Sequence, residues 1–260
     1  MKYATIAEGR AATGLRLVLT AEVPGPWGEA AKYILAYKGL EYLPVAQLGG
    51  GENAELQEWT GQAGAPVAVW NDEPPQSDSI DILFLAERLA PEPRLIPEDV
   101  SERLRMFGLI REVIGRRGIG WERRIMMIEP LASRPEAPPN ILRLAERYGC
   151  RPGLAADAPG RVAAILCELS ATLHAQRARA VRYFIGDGPT ALDFYWASFA
   201  NMLQPLPPEV CPMPAYMRVP YTDIGPVIAA ALDPILIEHR DMMFREHIGL
   251  PLDFLSEPAP

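Results

Sequence analysis

The sequence predicts an α/β N-terminal part followed by an all-helical C-terminal part. Three observations predict it. Strand-like and helix-like runs alternate as β-α-β-α-β-α through the first 90 residues. Pro91, Pro93 and Pro97 then crowd a stretch of seven residues that cannot continue a helix. Beyond it the apolar residues recur at helical spacing with no strand-like alternation.

Residues 1–14 look like a short, frayed extension. Leu15-Arg16-Leu17-Val18-Leu19 is a short apolar strand. In the following loop, Val23-Pro24-Gly25-Pro26-Trp27-Gly28, Pro26 suits a first helical residue. Ala30, Ala31, Ile34, Leu35 and Tyr37 follow at helical spacing, and Gly39 stops that helix. Tyr42–Ala46 reads as a second strand, with Pro44 confining it to an edge. A β-α-β opening favours a parallel pair with a crossover helix. A short helix over 52–60, a strand from Pro66 to Trp70 and a helix from Ser77 to Leu89 complete the first part, with Ile80, Leu83 and Phe84 on one helix face and a fourth short strand near Pro75-Gln76. Residues 93–98 form the linker between a first domain, 15–92, and a helical domain, 99–250, which 251–260 follow as a tail. Helices are expected over 100–128, 139–148, 155–182, 190–203, 223–232 and 234–247, with Asp99-x-x-Glu102 capping the first and Asp233-Pro234 starting the last. The proline-rich stretch 205–220 reads as a long surface connection.

Composition narrows the function classes. Hydrophobic residues make up 49% and charged residues 22%, an ordinary globular balance with ample core. A net charge of −8 argues against a nucleic-acid-binding surface. Cys150, Cys167 and Cys211 include no C-x-x-C and fit reduced thiols rather than a disulfide framework. No secretory signal and no membrane-spanning apolar run is visible, so a cytoplasmic protein is expected, with neither nucleic acid nor membrane as partner. Glu238, His239 and Asp241 do not share one helix face, and His174 and His247 have no Cys or carboxylate at ligand spacing, so no metal is expected. Nucleotide-binding glycine motifs are absent.

The most informative stretch is Gly186-Asp187-Gly188-Pro189-Thr190-Ala191-Leu192-Asp193-Phe194. Thr190-x-x-Asp193 before an apolar run is a reciprocal helix N-cap: the hydroxyl can accept from the Asp193 N–H, and the carboxylate can reach back to the Thr190 N–H. This motif serves folding, not chemistry. It resembles the capping motif in the helical domain of cytosolic glutathione transferases, and the resemblance extends over roughly residues 15–247. It implies an N-terminal thioredoxin-like domain, an all-helical C-terminal domain, glutathione as co-substrate, an apolar electrophile as second substrate, and a homodimer.

Three local matches carry the implied site. Ala65-Pro66-Val67 matches a strand entered through a cis-proline, where the backbone of Ala65 would pair with the cysteinyl part of glutathione. Asp78-Ser79 matches a Glu-Ser pair at a helix start. There Ser79 would bind the γ-glutamyl carboxylate at the helix N-terminus, and Asp78 would face the γ-glutamyl ammonium. The plainer reading is that Ser77 and Asp78 only cap the helix. The third match is Gly25-Pro26-Trp27-Gly28, where the resemblance implies Ser, Cys or Tyr at the position Gly25 occupies. A Ser or Tyr hydroxyl there would lower the pKa of the glutathione thiol. Glycine offers only its N–H, which removes a cysteine-dependent thiol transferase; a disulfide reductase would need a cysteine near 25, and the nearest is Cys150. The thiolate could instead be stabilised by N–H groups at the first helix terminus, by Thr20, or by Arg116, Arg117 or Trp121. Trp27 is either a wall of the site or core packing. The segment carrying Arg111, Arg116, Arg117, Trp121, Arg123 and Arg124 either lines the cleft or is a solvated face paired with Glu112 and Glu122. Met126-Met127 and Met242-Met243 either line an adaptable pocket or fill the core. Two functions remain open: a glutathione transferase with no identified catalytic residue, and a non-catalytic module of the same fold.

Overall fold

A computed structural model describes residues 1–256; the last four residues of the tail, 257–260, lie outside the described residues. The chain forms two compact units. The first comprises Met1–Pro93 together with residues 251–256, and the second Arg94–Leu250.

The first unit is built on a sheet of three strands in the order β2-β1-β3. β1 (Leu15–Thr20) is central. It pairs parallel with β2 (Leu43–Gln47) and antiparallel with β3 (Val67–Trp70). Pro44 has no N–H to give a ladder, and β2 is accordingly an edge. Residues 1–14 differ from the expected frayed extension: they carry α1 (Ile6–Ala11). Thr5 and Glu8 form a reciprocal cap, and Ala4 bridges Val45 along the β2 edge. Gly9 permits this approach, since a Cβ there would stand 2.6 Å from Val45 Cγ2. The overlooked signal was Thr5-x-x-Glu8, the same cap pattern as at Thr190.

The two sheet faces are covered differently. Val18, Val45, Val67 and Val69 cluster with Leu56 of α3 (Ala54–Thr60) and with Ile6 of α1. On the other face, where Leu17 and Leu19 point, lie α2 (Pro26–Tyr37) and α4 (Ser79–Leu89), packed against each other. Gly39, at φ 66, closes α2 with the Leu40 N–H donating to the Leu35 carbonyl. Phe84 does not join the buried face of α4; it is 50% exposed, and Ile82, Leu83, Leu85 and Ala86 are buried instead. The fourth strand near Gln76 is reduced to one antiparallel bridge with Ala68.

The second unit is helical, from α5 (Val100–Ile114) to α12 (Pro234–Met243). The single helix expected over 100–128 is two, α5 and α6 (Ile119–Ala132). Arg117 adopts φ 66 between them, and a Cβ on Gly118 would lie 2.5 Å from the Glu112 carbonyl oxygen. α7 (Pro139–Tyr148) and the long α8 (Leu154–Arg177) follow. At the centre is α9 (Ala191–Phe199), buried at every position, the polar Asp193 and Ser198 included. The stretch 205–220 is not simply a surface connection. Cys211 and Leu206 are buried, and α10 (Ala215–Thr222) begins within it, ahead of α11 (Gly225–Ala231). Asp233 caps α12 by accepting from the Ile235 N–H at 2.9 Å. Among the described residues, no helix is long and apolar enough to cross a membrane.

Candidate functional site

The strand register brings three separate segments to one end of the sheet. β1 runs out at Thr20 into the loop 21–25 and then α2, so the Gly25-Pro26-Trp27 turn lies beyond that end. Because β3 is antiparallel to β1, with Val67 opposite Val18, the entry to β3 sits at the same end. That entry is Ala65-Pro66, and its peptide is cis. After β3 the chain turns back, and Gln76 exchanges both backbone hydrogen bonds with Ala68 at 2.8 Å. The next residues therefore run alongside β3 toward Pro66, and Asp78-Ser79 open α4 there. Residues 12 or more positions apart in sequence thus come to one end of the sheet because β3 runs antiparallel to β1, not through local sequence.

At this end each segment has a defined local state. Pro26 is the first residue of α2, and Gly25 precedes it at φ −66, ψ 123 with no side-chain cap. The first turn of any helix leaves N–H groups without partners in its own helix and carries a partial positive charge. α4 presents a second helix start, where the Asp78 carboxylate accepts from the Ile80 N–H at 2.8 Å. The cap is therefore Asp78, and α4 begins at Ser79 rather than Ser77. One Asp78 oxygen is engaged in this bond; the residue is exposed, so the carboxylate remains accessible. Ala65 and Ser79 are half-buried, Pro66 is buried, and Trp27 is half-buried in the second position of α2.

Two residues at this end escaped sequence reasoning. Gln47, at the end of β2, donates through Nε2 to the Thr20 hydroxyl. Asn53 Nδ2 donates to Gln47 Oε1 and to the Ala63 and Leu48 carbonyls, each at 2.9 Å. Asn53 sits at φ 48, a conformation asparagine tolerates better than most residues. The network ties Gln47, Leu48 and Asn53 to Ala63, two residues ahead of the cis Ala65-Pro66 peptide, with the Thr20 oxygen as an acceptor. An asparagine directly after Gly49-Gly50-Gly51-Glu52 was the available signal.

The basic segment of the helical unit is largely structural. Arg123 is 1% exposed and donates to the carbonyls of Met202, Pro220 and Asp223. Burial depresses its guanidinium to about 10. Arg124 donates to the Tyr221 hydroxyl at 3.0 Å. Arg117 pairs with the buried Glu122 at 2.9 Å. The Trp121 indole N–H donates to the Tyr148 carbonyl, and Arg116 lies over its ring. Arg123 and Arg124 thus correct the expected solvated face: their donors cap carbonyls and a hydroxyl where helices meet. His174 faces Asp233 at 2.8 Å, a partner remote in sequence. Met242 and Met243 are buried, while Met126 and Met127 are half-buried. Among the described residues, no group of three or more His, Cys, Asp or Glu side chains is placed to hold a metal ion.

The architecture has close counterparts among solved structures. A glutathione transferase from Methylobacterium radiotolerans, in complex with glutathione sulfonate, matches over 95% of this chain and 100% of its own with a TM-score of 0.60 at 18% identity. A rice GST in complex with glutathione matches over 92% and 93%, with a TM-score of 0.61 at 18% identity. A glutathione transferase from Methylobacillus flagellatus with glutathione bound matches over 94% and 100%, with a TM-score of 0.62 at 14% identity. The chain has the glutathione transferase fold. Its first unit is the thioredoxin-like part of that fold and its second the all-helical part. No protein-family model and no curated protein matches the sequence itself.

Proposed function

We propose that the protein is a glutathione transferase-like enzyme that activates glutathione for attack on an apolar electrophile, by conjugation or by displacement of a leaving group. The observation that carries this reading is the convergence of two helix starts and the cis-proline entry of β3 at one sheet end. Helix N-termini favour carboxylate and thiolate groups, and an exposed backbone edge beside a cis-proline suits an extended peptide. In this reading residues 15–92 bind glutathione, 93–98 link, and 99–250 supply the electrophile's site. The Ala65 backbone pairs with the cysteinyl unit, Ser79 binds the γ-glutamyl carboxylate, and Asp78 faces the ammonium while still capping α4. Trp27 walls the thiol end.

The thiolate is left to backbone groups and the dipole of α2, because Gly25 has no hydroxyl. A helix terminus contributes about 0.3–1 kcal/mol at an exposed site. That lowers a thiol pKa by less than about one unit, against about 1–2 units for a hydrogen bond to a charged group. A slow enzyme is expected. A homodimer belongs to the same reading, as the resemblance to glutathione transferases implies. The composition suits a cytoplasmic protein.

Calorimetric titration with glutathione, beside Ser79→Ala, tests the site. Expected is micromolar-to-millimolar binding, weakened about tenfold or more by the substitution. Absence of binding at millimolar glutathione overturns the reading. A second reading, a non-catalytic binding module on the same fold, is favoured by Gly25. Nothing lies within 4 Å of where its Cβ would be, so no packing constraint imposes glycine. That reading expects ligand binding without turnover of any electrophile.

A further inference from the structure

The tail residues 252–256 are built into the first unit. Leu252 and Phe254 are buried, Phe254 at 1% exposure. The Phe254 carbonyl accepts two hydrogen bonds, from the Tyr3 hydroxyl at 3.0 Å and from the Glu22 backbone N–H at 3.2 Å. The Glu22 carboxylate in turn accepts from the Ser256 N–H at 2.7 Å. Bonds from the Ser256 hydroxyl and N–H hold this carboxyl below its usual range. Lys32 of α2 donates to the Asp253 carbonyl while its ammonium pairs with Glu29 at 2.9 Å. The tail therefore grips both the loop 21–25, through Glu22 at φ 63, and the helix that follows it.

The geometry points to residues 252–256 as a positioning strap for the loop 21–25, and through that loop for the thiol end of the glutathione site. The second half of this inference rests on the transferase reading above. A side-chain hydroxyl could follow a mobile thiol by rotating. Gly25 has no side-chain donor and its own N–H is held by the Val23 carbonyl, so the donors left at this turn are the N–H groups of the first turn of α2, whose direction is as fixed as the loop that leads into it. Within the loop itself, the Gly25 N–H donates to the Val23 carbonyl, and Ala21 is tied to Gln47. Glu22, between them, donates its backbone N–H to the tail. Ordering the loop during folding removes that cost from binding.

Amide hydrogen exchange on the full chain tests the strap. Phe254→Ala is expected to raise exchange across residues 21–28 about tenfold or more while leaving the β3 amides unchanged, and to raise the glutathione Kd about tenfold. Phe254→Leu, which keeps an apolar anchor, restores both. Tyr3→Phe removes only the hydroxyl donated to Phe254 and moves both readouts in the same direction by less; it decides the matter if Phe254→Ala does not fold. Unchanged loop exchange in variants whose tail amides have lost protection overturns the proposal. So does a loosened loop with an unchanged Kd. Wild-type protein that binds no glutathione overturns the transferase reading, and the exchange measurement alone then decides whether the tail orders the loop.

Discussion

Asp193 uses one carboxylate oxygen to cap α9 and turns the other toward His239. Oδ2 accepts from the Thr190 N–H at 2.7 Å and hydroxyl at 2.8 Å. Oδ1 accepts from the Phe184 N–H at 3.1 Å and stands 2.9 Å from His239 Nε2. Asp193 is fully buried and His239 nearly so. One side chain thus joins the start of the central helix, the loop before it, and α12. The cap motif was read from sequence as a folding device; the His239 partner, 46 positions further along the chain, had no local signature. Removing the carboxylate leaves the buried Phe184 and Thr190 N–H groups without their acceptor, at a cost of about 1–3 kcal/mol for each. Losing a cap hydroxyl costs about 0.5–2 kcal/mol. Urea unfolding should therefore rank Asp193→Ala well below Thr190→Ala in stability. Equal midpoints for the two variants would refute a joint role for the carboxylate.

Gly25→Ser tests whether the turn before α2 faces the thiol. The backbone at φ −66, ψ 123 is open to any L-residue, and the added Cβ meets nothing within 4 Å. Serine is also a slightly better N-cap than glycine, so stability should hold or rise by a few tenths of a kcal/mol. A hydroxyl bond to a thiolate is expected to stabilise it by about 1.5–3 kcal/mol. Thiolate absorbance of bound glutathione should then titrate about 1–2 pH units lower, and turnover of a chlorodinitrobenzene at neutral pH should rise about tenfold. An unchanged thiol titration in a variant that binds glutathione would place the thiol away from residue 25.

Asp78→Asn separates capping from ligand recognition. Asparagine caps as well as aspartate, so the bond to the Ile80 N–H survives and the thermal midpoint should not move. The negative charge opposite the glutathione ammonium is lost. The glutathione Kd should rise about threefold to tenfold, with the effect shrinking at high salt because Asp78 is exposed. A lowered midpoint with an unchanged Kd would leave Asp78 as a helix cap only.

The elements legible in the sequence are those set by local chemistry. Pro26, Gly39 and Asp233-Pro234 mark helix ends through backbone rules, and each does so in the structure. The misread regions are decided by contacts far along the chain. Residues 1–14 are ordered by the β2 edge. The 100–128 region kept helical periodicity across Gly115-Arg116-Arg117-Gly118, which concealed the break between α5 and α6. Gly118→Ala would drive a Cβ to within 2.5 Å of the Glu112 carbonyl, a backbone atom that cannot swing aside. Thermal or urea unfolding should show a loss of about 1–3 kcal/mol. A neutral or stabilising Gly118→Ala would mean that the connection adapts and that the glycine does not set the break. At the candidate site, Ala65-Pro66 and Asp78-Ser79 were visible as local patterns, whereas Gln47 and Asn53 act only through bonds to other loops.

Glu246 carries the clearest acid dependence. Hydrogen bonds from Arg182, with Oε1 at 2.6 Å and Oε2 at 2.7 Å, and from Arg245 at 2.9 Å hold its carboxyl down to about 2, from an ordinary 4.5. His247 is the adjacent titratable group, with its own pKa lowered by burial, and its Nε2 faces the Tyr183 hydroxyl at 2.9 Å. A carboxyl whose folded pKa is depressed contributes stability that is complete above its unfolded value and is lost as pH falls toward the folded one. The Glu246 contribution should therefore be full above about pH 4.5 and fade toward about pH 2. Thermal midpoints of the wild type and Glu246→Gln should differ at neutral pH, modestly because surface ion pairs are weak and salt-screened, and converge as the acid limit is approached. A gap that stays constant across that window would show that Glu246 acts through packing rather than charge. Raising the salt concentration at neutral pH should shrink the same gap, which distinguishes the ion pair from the packing of Arg182 beside the buried His239, whose Nδ1 lies 3.1 Å from the Arg182 carbonyl.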